Sequence, residues 1–187
     1  MESESQVPKT EDVIRSAHWW VTGQLGKGEL GGNNRGHFVD VVLGANGRGY
    51  SWCGLLCRAG YFYAIDKHFG EPETWRHTWL WRVPPVHDGT RLVTRGIVEP
   101  GARRLVLGLG SFGTLFDDPE LAIPGDLLYI ARPGGHHAMM VDHYAGGILH
   151  VLEGNVGEPP APVRQGWIEM KPRRDRRFRS LATLRTL

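Results

Sequence analysis

The sequence predicts an α+β fold in which N-terminal helices pack on a C-terminal antiparallel β-sheet, with a nucleophilic cysteine at the N-terminus of a central helix. Three observations carry that expectation. In the first part of the chain, apolar residues recur at helical spacing. After Pro124-Gly125-Asp126 the period changes to short β-compatible runs separated by Gly and Pro turns. In the first part, Gly49-Tyr50-Ser51-Trp52-Cys53-Gly54-Leu55-Leu56-Cys57-Arg58-Ala59-Gly60 places a cysteine at the head of an apolar run that continues to Phe62 and Tyr63. Helices first and strands afterwards give segregated layers.

Composition bounds the answer. With 187 residues, 41% apolar and 22% charged, the chain is long enough for one substantial core, so residues 10–187 are expected to form a single domain behind a disordered tail, residues 1–9. A net charge of +2 is too mild to argue for nucleic acid. The basic run from Lys171 through Arg173, Arg174, Arg176, Arg177 and Arg179 reads as a solvated, partly apolar terminal strand. No apolar stretch has membrane length, and Met1-Glu2-Ser3-Glu4-Ser5 lacks the basic and apolar regions of a signal peptide. The expectation is synthesis in the cytoplasm, no membrane partner, and any export by another route.

Taken in order, Thr10 is expected to cap a helix with Glu11 and Asp12 in its first turn and Val13, Ile14, Ala17, Trp20 and Val21 on its buried face. Gly23 and Gly26 end it. A turn-rich loop, Glu29 to Gly36, leads into a short helix, His37 to Leu43, with Phe38, Val41 and Val42 on one face. A second loop, Gly44 to Gly49, delivers the chain to Cys53. The aromatic stretch Trp75-Arg76-His77-Thr78-Trp79-Leu80-Trp81 reads as core or groove, and Pro84-Pro85 with Asp88-Gly89 as turns. From Pro100 a helix is expected with Ala102, Leu105, Val106 and Leu109 inward. The strands are Leu127 to Ala131, His136 to Tyr144, Ile148 to Glu153, Gln165 to Met170 and Phe178 to Thr183.

The chemistry starts from the cysteines. In the first turn of a helix, unpaired backbone N–H groups and the positive end of the helix dipole favour thiolate over thiol at Cys53. Cys57 lies four residues on, where a disulfide within one helix is geometrically poor, so two free thiols are expected, with Cys57 in the core. If the strands around Ala145 and Gly146 form a hairpin, His136 falls opposite Asn155, with Glu153 a diagonal neighbour on the same face. His137 then turns to the other side. An imidazole with an amide or carboxylate to orient it, near a cysteine, is the logic of a thiol hydrolase. A zinc site built from His136, His137, Asp142, His143 and Cys53 is the competing arrangement, but alternation splits the two neighbouring histidines and the spacing fits no compact metal motif.

The succession Glu29, Asn33-Asn34-Arg35-Gly36, Val39-Asp40, Trp52-Cys53, Pro124-Gly125-Asp126, Gly135-His136 and Glu153-Gly154-Asn155 resembles the CHAP and NlpC-type cysteine amidohydrolases of phages and bacteria over roughly residues 11–185. The resemblance implies a papain-like fold, Cys53 as nucleophile, His136 as base, and Glu153 or Asn155 as the polar partner. It implies a peptidoglycan peptide as substrate, cut as an amidase or endopeptidase after delivery to the wall. No cofactor or metal is expected. The Cys53 N–H and Tyr50 are the oxyanion candidates, and Trp52 and His137 complete the surrounding oxyanion and substrate contacts. The alternatives are an acyl transferase or deamidase on the same residues, or a catalytically idle wall-binding or virion component. His137 and the bulky Leu55 and Leu56 depart from the family pattern.

Overall fold

A computed structural model describes residues 9–69 apart from 46, 48 and 50, and residues 101–187 apart from 111, 112, 159, 172–174 and 186. Tyr50, the N-terminal eight residues and the aromatic stretch 75–81 lie outside the described residues, as do the expected turns after it.

Helix α1 spans Thr10–Thr22, with Glu11 and Asp12 near its positive end and Val13, Ile14, Ala17 and Val21 buried. Lys9 holds the cap position without a side-chain cap, so Thr10 is the first helical residue and not the cap. The segment Phe38–Val42 is one π-helical turn, closed by Leu43 N–H donating to the Phe38 carbonyl at 2.9 Å. Its wider pitch corrects the expected inward face: Phe38 and Val39 are buried, while Val41 and Val42 are exposed.

Helix α2, Cys53–Phe69, is apolar nearly all round, as a helix packed on several sides must be. Leu55, Leu56, Cys57, Tyr61, Ala64 and Ile65 are all buried, against α1, the sheet and the third helix, α3 (Ala102–Gly110). In α3 the inward stripe is Ala102, Leu105, Val106 and Leu109, as helical spacing requires.

Among the described residues the strands are β1 (Thr114–Phe116), β2 (Leu127–Arg132), β3 (Gly135–Ala145), β4 (Ile148–Glu153), β5 (Arg164–Glu169) and β6 (Phe178–Thr183). They form one sheet in the order β1-β6-β2-β3-β4-β5, and every pairing is antiparallel. Thus the chain is α+β with helices and a six-stranded antiparallel sheet. The short β1 was absent from the sequence expectation because three residues cannot display an alternation. One sheet face carries Leu127, Tyr129, Ala138, Met140 and Leu152 into the core shared with the helices. The other carries Leu128, Ile130, Met139, Val141, Leu149 and Val151 into a second apolar cluster.

Pro124-Gly125-Asp126 locks the two layers together. Gly125, at φ 101°, lies where a Cβ would come within 2.5 Å of the Ile14 carbonyl oxygen of α1, and its own carbonyl accepts from Tyr61 Oη of α2 at 3.0 Å. Asp126 is fully buried, accepting from Ile123 N–H at 3.0 Å and from Arg185 Nη2 at 3.0 Å.

The β3–β4 hairpin differs from the symmetric one expected. Its loop is Gly146-Gly147, with Ala145 paired to Ile148, and β3 bulges between Val141 and His143. Beyond the bulge Val141 pairs with Val151 and Met140 with Leu152, one residue away from the expected register. A slip of one residue exchanges the faces of the strand relative to its partner. His136, in consequence, is not the residue that shares a face with Glu153. Asp142, the extra residue, turns to α1, where its Oδ1 accepts from His18 Nε2 at 2.8 Å.

Candidate active site

The loops before α2 are built to deliver Cys53. Glu29, buried, accepts from the Trp52 indole N–H at 2.8 Å. Asp40 accepts from Gly36 N–H at 3.0 Å and from Gly47 N–H at 2.8 Å, tying the first loop to the second, and Arg35 donates to the Gly47 carbonyl. Gly36, at φ 109°, has no room for a side chain, because a Cβ would stand 2.4 Å from the Leu30 carbonyl oxygen. The indole of Trp52 is wholly buried, edge-on to Phe38 with ring centroids 5.8 Å apart. Trp52 is therefore a core anchor and not a substrate contact, which corrects its sequence assignment.

The tightness of that anchor is testable. A Cβ on Gly154 would come within 2.2 Å of Trp52 ring carbon Cζ3, and a fully buried indole has little space to retreat. Gly154→Ala is expected to cost about 1–3 kcal/mol of stability, read from the midpoint of denaturant unfolding. An unchanged midpoint would show that the ring moves aside freely.

Cys53 is the first residue of α2, so its N–H and the next two have no acceptor within the helix; the first helical bond runs from Leu56 N–H to Trp52 O at 2.9 Å. Its side chain lies within hydrogen-bonding reach of His137, of the Ala138 N–H and of Ser51, whose hydroxyl is 3.9 Å from Sγ. On its other side His137 Nε2 stands 2.9 Å from Glu153 Oε2. Glu153 Oε1 accepts from Arg164 Nε at 3.1 Å and Nη2 at 3.0 Å, and Arg132 Nη2 is 3.7 Å from Oε2. The result is a chain of groups from thiol to imidazole to carboxylate to guanidinium, with Cys53, His137 and Glu153 all buried.

Electrostatics follow from that chain. Burial is the largest influence on Cys53 and pushes its thiol up, but the hydrogen bond and charge of His137, the Ala138 N–H and the Ser51 hydroxyl together bring it below the ordinary thiol range. Burial pushes His137 down; its hydrogen bonds to Cys53 and Glu153 and the charge of Cys53 outweigh this, so the imidazolium is favoured. Burial raises Glu153, while His137 and Arg164 hold it below the usual carboxylate range. Thiolate and imidazolium are thus favoured together. Cys57 is the contrast: burial, then the neighbouring Cys53 charge, pushes its thiol far up.

Two sequence assignments need correction. His136 is exposed, its ring edge-on to Tyr129 at 5.5 Å, and it takes no part in the chain of groups; His137, expected to face away, is the imidazole that lies between Cys53 and Glu153. Asn155 lies beyond β4 in the left-handed region, at φ 60°, and its Nδ2 donates to Ser51 Oγ, so it reaches a neighbour of Cys53 and not the imidazole. Of the two candidates for third member, Glu153 is the one that touches the ring. Sequence reasoning missed Ser51, Arg132 and Arg164. Arg164 is the cross-strand partner of Glu153 in the β4–β5 pairing, a register that an irregular connection between these strands conceals. Ser51 sits two residues before Cys53 and carries no spacing signal of its own.

The two thiols should separate cleanly. Iodoacetamide at neutral pH is expected to label Cys53 in the native protein while sparing Cys57, and the Cys53 rate should fall only when the pH drops below its depressed thiol range. Peptide mapping by mass spectrometry checks this, and equal labelling would remove Cys53 from the nucleophile's role.

Among the described residues, no group of three or more His, Cys, Asp or Glu side chains could hold a metal ion, and no helix is long and apolar enough to cross a membrane. No family model matches the chain, and no curated protein sequence matches it.

Proposed function

We propose that the chain is a cysteine amidase or endopeptidase of papain-like fold, of the CHAP or NlpC type, acting on the peptide part of bacterial peptidoglycan. The observation that carries the enzymatic reading is the buried His137, joined to Cys53 on one side and to Glu153 on the other. A structural histidine needs one partner; a base between a thiol of lowered pKa and a carboxylate has the arrangement of a thiol hydrolase.

In this mechanism the Cys53 thiolate attacks the amide carbonyl carbon, and the oxyanion forms near the N–H groups at the start of α2, which have no acceptor within the helix. His137 imidazolium gives its proton to the departing amine, leaving a thioester on Cys53. The neutral imidazole then takes a proton from water, which attacks the thioester and releases the acid. Glu153 stabilises the imidazolium that exists before the first step and after the second.

The choice of substrate rests on the motif succession. Several of its members have roles that converge on one place: Glu29 holds Trp52, Asp40 joins the two loops, and Gly154 leaves room for Trp52. The test is digestion of purified peptidoglycan, with released muropeptides identified by mass spectrometry. Native protein should generate new peptide termini or free amines, and Cys53→Ala should generate none. Release by both proteins alike, or by neither, would defeat the reading.

A further inference from the structure

On the sheet face away from the helices, a cavity of about 360 Å³ opens behind the carboxylate of Glu153. Glu153 lines it, whereas Cys53 and His137 do not, so it meets the candidate site only at that carboxylate and the guanidinium groups around it. Its apolar wall includes Ile130, Met139 and Ile168, buried members of the second core cluster. Its polar wall is made by Arg132, Arg164 and Arg177.

Among the described residues, the charge around the cavity is not balanced. Against these guanidinium groups stand Glu153, held by Arg164, and Asp175, which grips Arg177 through Nη2 at 2.6 Å and Nε at 3.1 Å. Arg132 approaches Glu153 only to 3.7 Å, beyond hydrogen-bonding distance, and is about one-third exposed. Burial, and further the neighbouring Arg177 and Arg164, make the Arg132 charge harder to hold than usual, although Glu153 and Cys53 oppose this. An additional anion would relieve that crowding.

We propose that this cavity binds a small organic monoanion: a carboxylate head on Arg132 and Arg177, with an apolar body against Met139 and Ile168. Guanidinium forks match carboxylates in geometry, and the volume lies near the lower end of ordinary ligand pockets, about 300 Å³ and upward. The apolar wall disfavours a small, fully hydrated anion such as phosphate, whose shell it cannot replace.

The test is calorimetric titration of the full chain with benzoate, benzyl alcohol and inorganic phosphate. Benzoate should bind saturably, and the neutral alcohol and phosphate at least about tenfold more weakly. Arg177→Gln should weaken benzoate about tenfold by removing half of the head-group site, while Asp175→Asn should tighten it several-fold by releasing the Arg177 fork. No saturable benzoate binding, equal binding of benzyl alcohol, preference for phosphate, or the same affinity in parent and Asp175→Asn would each overturn the proposal. Because the readout is binding, failure here leaves the hydrolase reading standing, and an inactive protein that binds benzoate leaves this one standing.

Discussion

On the proposed function, His137→Ala is expected to lower turnover of a wall peptide by about 10²–10⁴-fold, whereas His136→Ala should leave it close to the parent. The expectation follows from what each ring touches. His137 is buried, with Nε2 2.9 Å from Glu153 and the thiol of Cys53 on its other side, so its removal takes away the proposed acid and base together with the cation that favours thiolate. His136 contacts the Tyr129 ring from an exposed position, and losing it costs a surface contact. A second measurement needs no substrate. Without His137 the burial of Cys53 is no longer outweighed, so its thiol rises and iodoacetamide labelling at neutral pH should slow sharply. His136→Ala should label like the parent. If the two variants exchange these behaviours, the bulged register of β3 is wrong.

Much of the architecture was legible because it depends on periodicity. The inward stripe of α3, the start of α2 at Cys53 and the span of β4 follow from apolar spacing and from Gly and Pro punctuation. Burial and orientation within a hairpin depend on something sequence spacing does not carry, which is where an extra residue is absorbed. A symmetric turn at Ala145 and Gly146 puts His136 on the face of Glu153; a Gly146-Gly147 loop with a bulge at Asp142 puts His137 there. At the bulge Asp142 pairs with His18 across the layers, a contact separated by more than a hundred positions and invisible to any window of sequence. The same limit hid Arg164, which reaches Glu153 only through the β4–β5 register.

The motif residues tell a related story. Trp52 and Glu29 read as parts of a catalytic signature, and what they contribute is placement: a buried indole hydrogen-bonded to a buried carboxylate fixes the residue before Cys53. Asn155 likewise serves Ser51, which lies beside Sγ, and not the imidazole. Sequence spacing found the right neighbourhood for these residues, while the division of labour among them is a matter of hydrogen-bond direction.

That division decides what Glu153→Gln and Asn155→Ala should do. The Glu153 carboxylate accepts from Arg164, faces Arg132 and holds the His137 ring; the amide keeps the shape and removes the charge. His137 then loses a partner for its imidazolium and is left beside two guanidinium groups, so its pKa falls and the base limb of the pH–rate profile moves to lower pH. The acid limb should not rise, because the thiolate loses a nearby negative charge and keeps the imidazolium at low pH. Stability changes with a definite sign as well. Glu153 titrates below its ordinary range in the folded chain, so its contribution is present above the unfolded carboxylate pKa and is lost as pH falls through the folded value. Glu153→Gln should therefore cost about 1–3 kcal/mol at neutral pH and progressively less in acid, as one partner of a charged hydrogen-bond network is removed. Asn155→Ala removes a bond to Ser51 and no charge, so the rate should drop modestly with both limbs in place. Paired pH–rate profiles on one wall substrate, with acid titration of unfolding, read all of this. An unmoved base limb in Glu153→Gln would mean that the carboxylate serves Arg164 and the sheet edge alone, and that His137 works as an unsupported base.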